Sequence, residues 1–290
     1  MSKQLTRSIL ISPSSDESLL EKQRASNADV ALLDLEDGVP PDRKEEARER
    51  CARVLRDWDY GGKLRWVRVN QVASLDGMRD ILAVAAARPD AISPAKPRDR
   101  EEIIAADYLL TRREEELGLP IGGIGLVPMI ETGPAALNLR ELIEASPRIT
   151  GVILGSEDLS AEVGIVRTEE GREMDWIRGN MVLTCHALGV HCYDVASVKL
   201  RQPELLYRET RVAYHQGFDG KVCISRGQID DTHRGFMPEP SELEWAQNIL
   251  KANHEAETRG EAVFALDDKM VDRPFILQAE NILRRAGQHV

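Results

Sequence analysis

Short apolar runs alternate with longer amphipathic ones along this chain. Strand-like runs stand at SILIS (8–12), DVALLDL (29–35), LRWVRV (64–69), DAISPA (90–95), GIGLVPM (123–129), ITGVIL (149–154), VHCYD (190–194) and GKVCIS (220–225). Most are continuously apolar, which suits strands buried on both faces. Between them PDRKEEARERCARVLRDW, REEIIAADYLLTRREEEL and PAALNLRELIEA read as helices; the second repeats apolar residues at helical spacing with charges elsewhere. Eight strands, mostly separated by helices, predict an α/β fold of the (β/α)8 TIM-barrel type. The main competitor, a doubly wound open sheet, lacks its GxGxxG after the first strand, and GGIGL at 122–126 starts a strand instead of opening a helix. After the eighth strand, helices are expected at 241–256 and 274–286. A barrel does not need this tail. The expected division is a catalytic barrel over 1–238 and a C-terminal helical extension over 239–290, acting as lid or oligomer arm.

Composition narrows the partners. The 290 residues are 42% hydrophobic and 30% charged, as in a soluble globular protein. A net charge of −11 argues against nucleic acid or an anionic membrane surface, but not against a small anionic substrate met by a metal and a few arginines. Neither a signal peptide nor a membrane span is evident, so a cytoplasmic protein is expected. Cys51, Cys185, Cys192 and Cys223 form no CxxC pair. Cys185-His186 and His191-Cys192 resemble a metal cluster on paper, yet they bracket the start of the seventh strand, the rim of a barrel that serves stability.

Chemistry belongs at the opposite rim, where strands end. The first strand leads there to Ser12-Pro13, the second to Asp34, Glu36 and Asp37, the third to Arg68 and Asn70, and the fourth to Lys96. The fifth ends at Glu131, the sixth at Glu157 and Asp158, the seventh at Asp194, and the eighth at Ser225 and Arg226. Glu131 and Asp158 are one strand–helix–strand unit apart, which sets two carboxylates side by side on one rim. Such a pair suits Mg²⁺, which takes one or two protein carboxylates and fills its shell with water and substrate; capping of the following helices is the plainer alternative. In RWVRVN, Arg68 and Asn70 share the face that would point into the barrel. A guanidinium there needs an acid, from DLED or from a substrate.

These residues resemble the HpcH/HpaI aldolase superfamily, in its citrate lyase beta-subunit-like branch with malyl-CoA and citramalyl-CoA lyases. DLEDGV (34–39), RVN (68–70), IET (130–132), GSEDL (155–159), GFDGKVCI (217–224) and FALDDKMVDRP (264–274) carry the resemblance in order and spacing over nearly the whole chain. It implies a TIM barrel and a Mg²⁺-dependent carbon–carbon lyase, with Glu131 and Asp158 as metal ligands and Arg68 on the substrate carbonyl. It also implies Glu36 and Asp37 as supporting acids, and Asp272 as an acid delivered into a neighbouring subunit's site. A homo-oligomer, trimer or hexamer, is implied too. Lys96, Gly155 and Ser156 complete the candidate substrate-binding set. Two loops depart from the family: Ile224-Ser225-Arg226-Gly227-Gln228 replaces its I-H-P-S-Q, and Ile11-Ser12-Pro13 replaces its Phe-Val-Pro turn.

The expected reaction is reversible cleavage of a 3-hydroxyacyl-CoA (malyl-, citramalyl- or citryl-CoA-like) to an acyl-CoA and a 2-oxo acid. Arg68 would meet the enolate charge and Asp272 would serve the proton transfers. The alternatives are an aldolase acting on a free 4-hydroxy-2-oxo acid, a lyase followed by thioester hydrolysis or a net Claisen-type synthase, and a non-catalytic subunit or binding protein that keeps the fold.

Overall fold

The computed structural model describes residues 5–266 and 269–288. It divides into two compact units, one spanning Thr6–Thr232 and one running on from His233 together with Leu5. In the first unit the strands are β1 (Ser8–Pro13), β2 (Val30–Asp34), β3 (Leu64–Val69), β4 (Ala91–Pro94), β5 (Gly125–Leu126), β6 (Met129–Ile130), β7 (Gly151–Leu154), β8 (His191–Asp194) and β9 (Gly220–Cys223). All pair in parallel, in the order β5-β4-β3-β2-β1-β9-β8-β7-β6. The two ends of that order are halves of one segment. Val127 N–H donates to Ile92 O on one side, and Pro128 O accepts from Ile153 N–H on the other. The sheet thereby closes into a barrel of eight strand positions, as expected. The fifth expected strand is split because Pro128 has no N–H to give to a ladder.

Helices follow the strands: α1 (Glu17–Arg24), α2 (Lys44–Asp57), α3 (Leu75–Ala85), α4 (Arg100–Glu116), α5 (Gly133–Leu137), α6 (Leu139–Glu144), α7 (Ser156–Val163), α8 (Asp175–Leu188), α9 (Pro203–Gln216) and α10 (Ile229–Phe236). Side chains of Asp16, Ser74, Asp99 and Thr132 accept amide hydrogens at the starts of α1, α3, α4 and α5. The run expected as one helix at 134–145 is two, broken where Asn138 leaves helical geometry.

Strand parity decides what faces the lumen. Ile9, Val30, Leu32, Trp66, Ala91, Val127, Met129, Ile153, Tyr193 and Val222 form one buried cluster drawn from strands around the whole barrel. Successive strand side chains alternate faces. Asp34, Arg68, Ser93, Glu131 and Gly155 therefore share the lumen parity, while Asp194 and Lys221 point outward to the helical layer. The second unit pairs α11 (Pro240–Thr258) with α12 (Arg273–Arg285) around Ala246, Ile249, Ile276, Ala279 and Leu283. An antiparallel hairpin of β10 (Phe264–Leu266) and β11 (Lys269–Val271), which helical periodicity could not reveal, lies between them in the chain. Two acids of the FALDDKMVDRP motif, Asp267 and Asp268, lie outside the described residues. Among those described, no helix is long and apolar enough to cross a membrane.

One buried ion network ties α4 to the start of β7. Arg148 meets Asp107 and Glu114 at 2.6 Å each, and Glu114 also accepts the amides of Gly122 and Ile124. Arg148→Met leaves the fully buried Glu114 charge without its cation. It should destabilise the protein by roughly 3–5 kcal/mol, the usual loss on breaking a buried pair, read as a lower urea midpoint. A shift below about 1 kcal/mol, the range of surface pairs, would show that the backbone amides alone satisfy Glu114.

Candidate active site

The mouth of the barrel is organised by one guanidinium. Arg68 donates from Nε to Asp34 Oδ1 at 2.6 Å and from Nη2 to Asp34 Oδ2 at 2.7 Å; Nη1 lies 3.2 Å from Glu36 Oε2. The β2–β3 register sets Asp34 directly beside Arg68, so the fork is built into the sheet. Burial disfavours the Arg68 charge, but Asp34 and Glu36 outweigh it and raise its pKa above the ordinary value. Asp34 also accepts the amides of Glu36 and Gly38, which curls the loop after β2 back over the strand. A side chain at Gly38 would meet Asp34 Oδ2 at 2.5 Å, so the DLEDG turn needs its glycine.

Arg68 therefore has its expected DLED partner, and it is chiefly Asp34. Glu36 joins it; Asp37 does not, and pairs with Lys96 instead. Asp34 was visible as a strand-end acid, but only its register opposite Arg68 marks it as the main partner. Lys44 holds the same loop through Leu35 O, Glu36 O and Asn70 Oδ1.

Lys96 follows β4 at a φ of 50°, in the left-handed region that side-chained residues rarely adopt. Its backbone N–H donates to Glu131 Oε1 at 2.7 Å. Its Nζ reaches Glu36 Oε1 at 2.6 Å, Asp37 Oδ2 at 2.7 Å and Asp158 Oδ1 at 3.4 Å. Burial pushes the Asp37 pKa up, but the Lys96 ammonium outweighs it and leaves that pKa below the ordinary value. The Lys96 pKa is raised in return, the acids outweighing burial.

Glu131 closes β6, is 2% exposed, and keeps Oε2 without a hydrogen-bond partner. Burial, reinforced by the charges of Asp158 and Glu36, pushes its pKa up to about 8 against the pull of Arg68 and the Lys96 amide. Gly155 leaves room for it: a Cβ there would lie 2.6 Å from Glu131 Oε2. Ser156 is fully buried and its hydroxyl donates to Glu157. Asp158 sits in the first turn of α7, which has no side-chain cap.

An orphaned, dry carboxylate oxygen beside a second carboxylate fits a hard divalent cation that brings its own water. Among the described residues no group of three or more His, Cys, Asp or Glu is placed to hold a metal ion.

Other strand-end residues lie elsewhere. Asp194 faces away from the lumen and is fully buried between Lys221 (2.8 Å) and Arg178 (3.1 Å). Burial pushes its pKa up, but the two cations outweigh it and leave the pKa low. A cavity of about 380 Å³ lies on that side, lined by Glu157, Arg178, Lys199 and Lys221 among others, and contains neither Glu131 nor Arg68. Cys185 and Cys192 are buried free thiols, and His186 and His191 are occupied by Gly217 O and Asp219, in keeping with a structural role. Ser225 bonds the amide of Gly227, and Arg226 is exposed. In the second unit, Asp272 precedes α12; its side chain makes no cap hydrogen bond and its Oδ1 is buried without a partner.

The raised Glu131 pKa has a consequence for stability. A carboxyl whose folded pKa lies above its ordinary 4.5 holds its proton more tightly when folded. In excess chelator the protein should therefore lose stability as pH rises from about 4.5 to about 8, with the loss complete above that. Glu131→Gln should lack this slope and exceed the parent protein in stability at high pH, measured by urea unfolding. Equal slopes would show that Glu131 is already ionised in the fold.

The HpcH/HpaI aldolase/citrate lyase family model matches residues 7–226. The citrate lyase subunit beta of Leuconostoc mesenteroides subsp. cremoris is 30% identical over 285 residues, 98% of this chain and 94% of that protein. The (3S)-malyl-CoA thioesterase of Cereibacter sphaeroides (strain KD131) is 34% identical over 280 residues, 97% of this chain and 94% of that one. The solved structure of protein CitE from Mycobacterium tuberculosis, in complex with magnesium, acetoacetate and coenzyme A, superposes with a TM-score of 0.82 at 28% identity, covering 98% of this chain and 99% of that chain. With its closed parallel barrel and rim of acids around one arginine, the chain belongs to the HpcH/HpaI aldolase/citrate lyase family of carbon–carbon lyases.

Proposed function

We propose that this protein is a Mg²⁺-dependent lyase that splits a 3-hydroxyacyl-CoA of the malyl, citramalyl or citryl type into an acyl-CoA and a 2-oxo acid. The observation that carries this reading is the partnerless buried oxygen of Glu131, with Asp158 and Arg68 on the same rim. The relatives named for citrate lyase and malyl-CoA, and the neighbour solved with magnesium and coenzyme A, support it. Glu131 and Asp158 would hold Mg²⁺, which would supply Lewis-acid and orienting chemistry to the substrate there.

The chain's own residues do the rest. The substrate hydroxyl gives up its proton and becomes the carbonyl of the 2-oxo acid. The electron pair of the broken carbon–carbon bond passes to the thioester as an enolate, which takes up a proton to leave the acyl-CoA. Arg68 meets that enolate oxygen; Asp34 fixes the guanidinium plane beforehand, so little reorganisation is needed as charge develops. Glu36 and Asp37 hold Lys96, whose amide positions Glu131. Gly155 and Ser156 lead into the uncapped first turn of α7, whose amides suit a substrate carboxylate. Asp272 is assigned the proton transfers, entering from a neighbouring subunit of a homotrimer or hexamer.

The thioesterase relative favours one second reading, cleavage coupled to hydrolysis of the thioester. Malyl-CoA, citramalyl-CoA, citryl-CoA and free 4-hydroxy-2-oxo acids, each with Mg²⁺ and with excess chelator, separate the possibilities. At least one CoA thioester should be cleaved only with Mg²⁺, releasing a 2-oxo acid and no free CoA thiol. Release of the thiol supports the hydrolytic reading. Cleavage of the free acids alone points to an aldolase, and full turnover in chelator removes the metal.

The shared site is tested by mixing. Glu131→Ala and Asp272→Ala subunits should each be inactive alone, and their co-assembled oligomers should regain activity. Some sites then combine an intact Glu131 with an intact Asp272 from another chain. Verified mixed oligomers of folded subunits that stay inactive would remove Asp272 from the neighbour's site.

A further inference from the structure

Lys96 engages the acids at the barrel mouth from both ends. Its amide holds Glu131 Oε1, while its ammonium hydrogen-bonds Glu36 and Asp37 and stands in ion-pair range of Asp158. The backbone accepts an unfavourable φ of 50° to do this. Glycine would take that conformation without strain, but only a long cationic side chain from this point spans from Glu36 to Asp158. The contact with Asp158 is the longest of the three, and Asp158 is the most accessible acid after Asp37, at 42% side-chain exposure.

We propose that Lys96 is an internal competitor for the divalent cation at Asp158, and that its ammonium sets the metal affinity of the site. This rests on Glu131 and Asp158 being the metal ligands. Two cations on one carboxylate repel each other. An arriving divalent ion must therefore loosen the 3.4 Å contact to Asp158, while the shorter bonds to Glu36 and Asp37 keep the ammonium tethered nearby. The result is a metal site weaker than its acids alone would make it. Lys96 is a positioning residue here, since it acts on the cation through Asp158 and Glu131.

The test is Mn²⁺ binding to the full chain, followed by the electron paramagnetic resonance of free Mn²⁺ after chelator treatment. Lys96→Met removes the charge while keeping the backbone N–H and a non-glycine residue at the same φ. Lys96→Gln is a second neutral variant should Met fold poorly, and Lys96→Arg retains the charge. Both neutral variants should bind Mn²⁺ about tenfold more tightly than the parent, the equivalent of one modest charge–charge term, and Lys96→Arg should bind within about twofold of it. Folded neutral variants with unchanged or weaker affinity overturn the proposal, because a purely structural lysine would give that result. Asp158→Ala separates the two levels. If it leaves Mn²⁺ binding intact, the metal assignment itself fails. If it abolishes binding while the neutral Lys96 variants match the parent, only the competitor role fails.

Discussion

A carboxylate taken out of water must be protonated, paired or bound by a cation, and Glu131 meets that demand by half. One oxygen has the Lys96 amide and the other has nothing. The surrounding structure maintains this state. Gly155 lets β7 press against the side chain, which is buried. The raised pKa is the electrostatic expression of the same burial. A site of this kind is strained toward cations before any substrate arrives, which is how a two-carboxylate centre can hold a metal that prefers water for most of its shell.

The arginine beside it is treated in the opposite way. Arg68 is satisfied on two donors by Asp34 and faces Glu36 with a third nitrogen. Buried ion pairs add little net stability, because desolvation offsets most of the attraction. What the pair supplies is orientation: a guanidinium held flat by a bidentate acid presents its remaining edge in one direction. The structural pair and the proposed catalytic role of Arg68 are therefore compatible, since the pair is what holds the guanidinium rigid.

Much of this was legible in the sequence, for reasons that also explain what was not. Continuous apolar runs located the strands, and the spacing of Glu131 and Asp158 put both acids on one rim. The alternation of RWVRVN put Arg68 in the lumen. Pro128 was in plain view, yet its effect needed the closure of the barrel, because one segment had to serve both ends of the sheet. The preference of Arg68 for Asp34 over Asp37 depends on inter-strand register, which no single strand contains. Lys96 carried no local signal for a positive φ, since it is neither glycine nor asparagine; tertiary contacts to four acids impose it. The β10–β11 hairpin is too short for periodicity to mark.

Asp194 gives the most instructive contrast. It ends a strand as Glu131 does, but it faces the other way, and it serves the outer layer. There one acid meets two cations, Arg178 and Lys221, and is held ionised. At the mouth, five acids among the described residues, Asp34, Glu36, Asp37, Glu131 and Asp158, surround the side-chain cations of Arg68 and Lys96. Both clusters use the same residue types at the ends of parallel strands. The difference lies in the sign of the imbalance. An outward acid overmatched by cations can lock a helix to a sheet and needs nothing more. A lumen set with excess acid must either hold protons or admit a cation from outside, and the residue that moderates that choice is the one whose ammonium already lies among them.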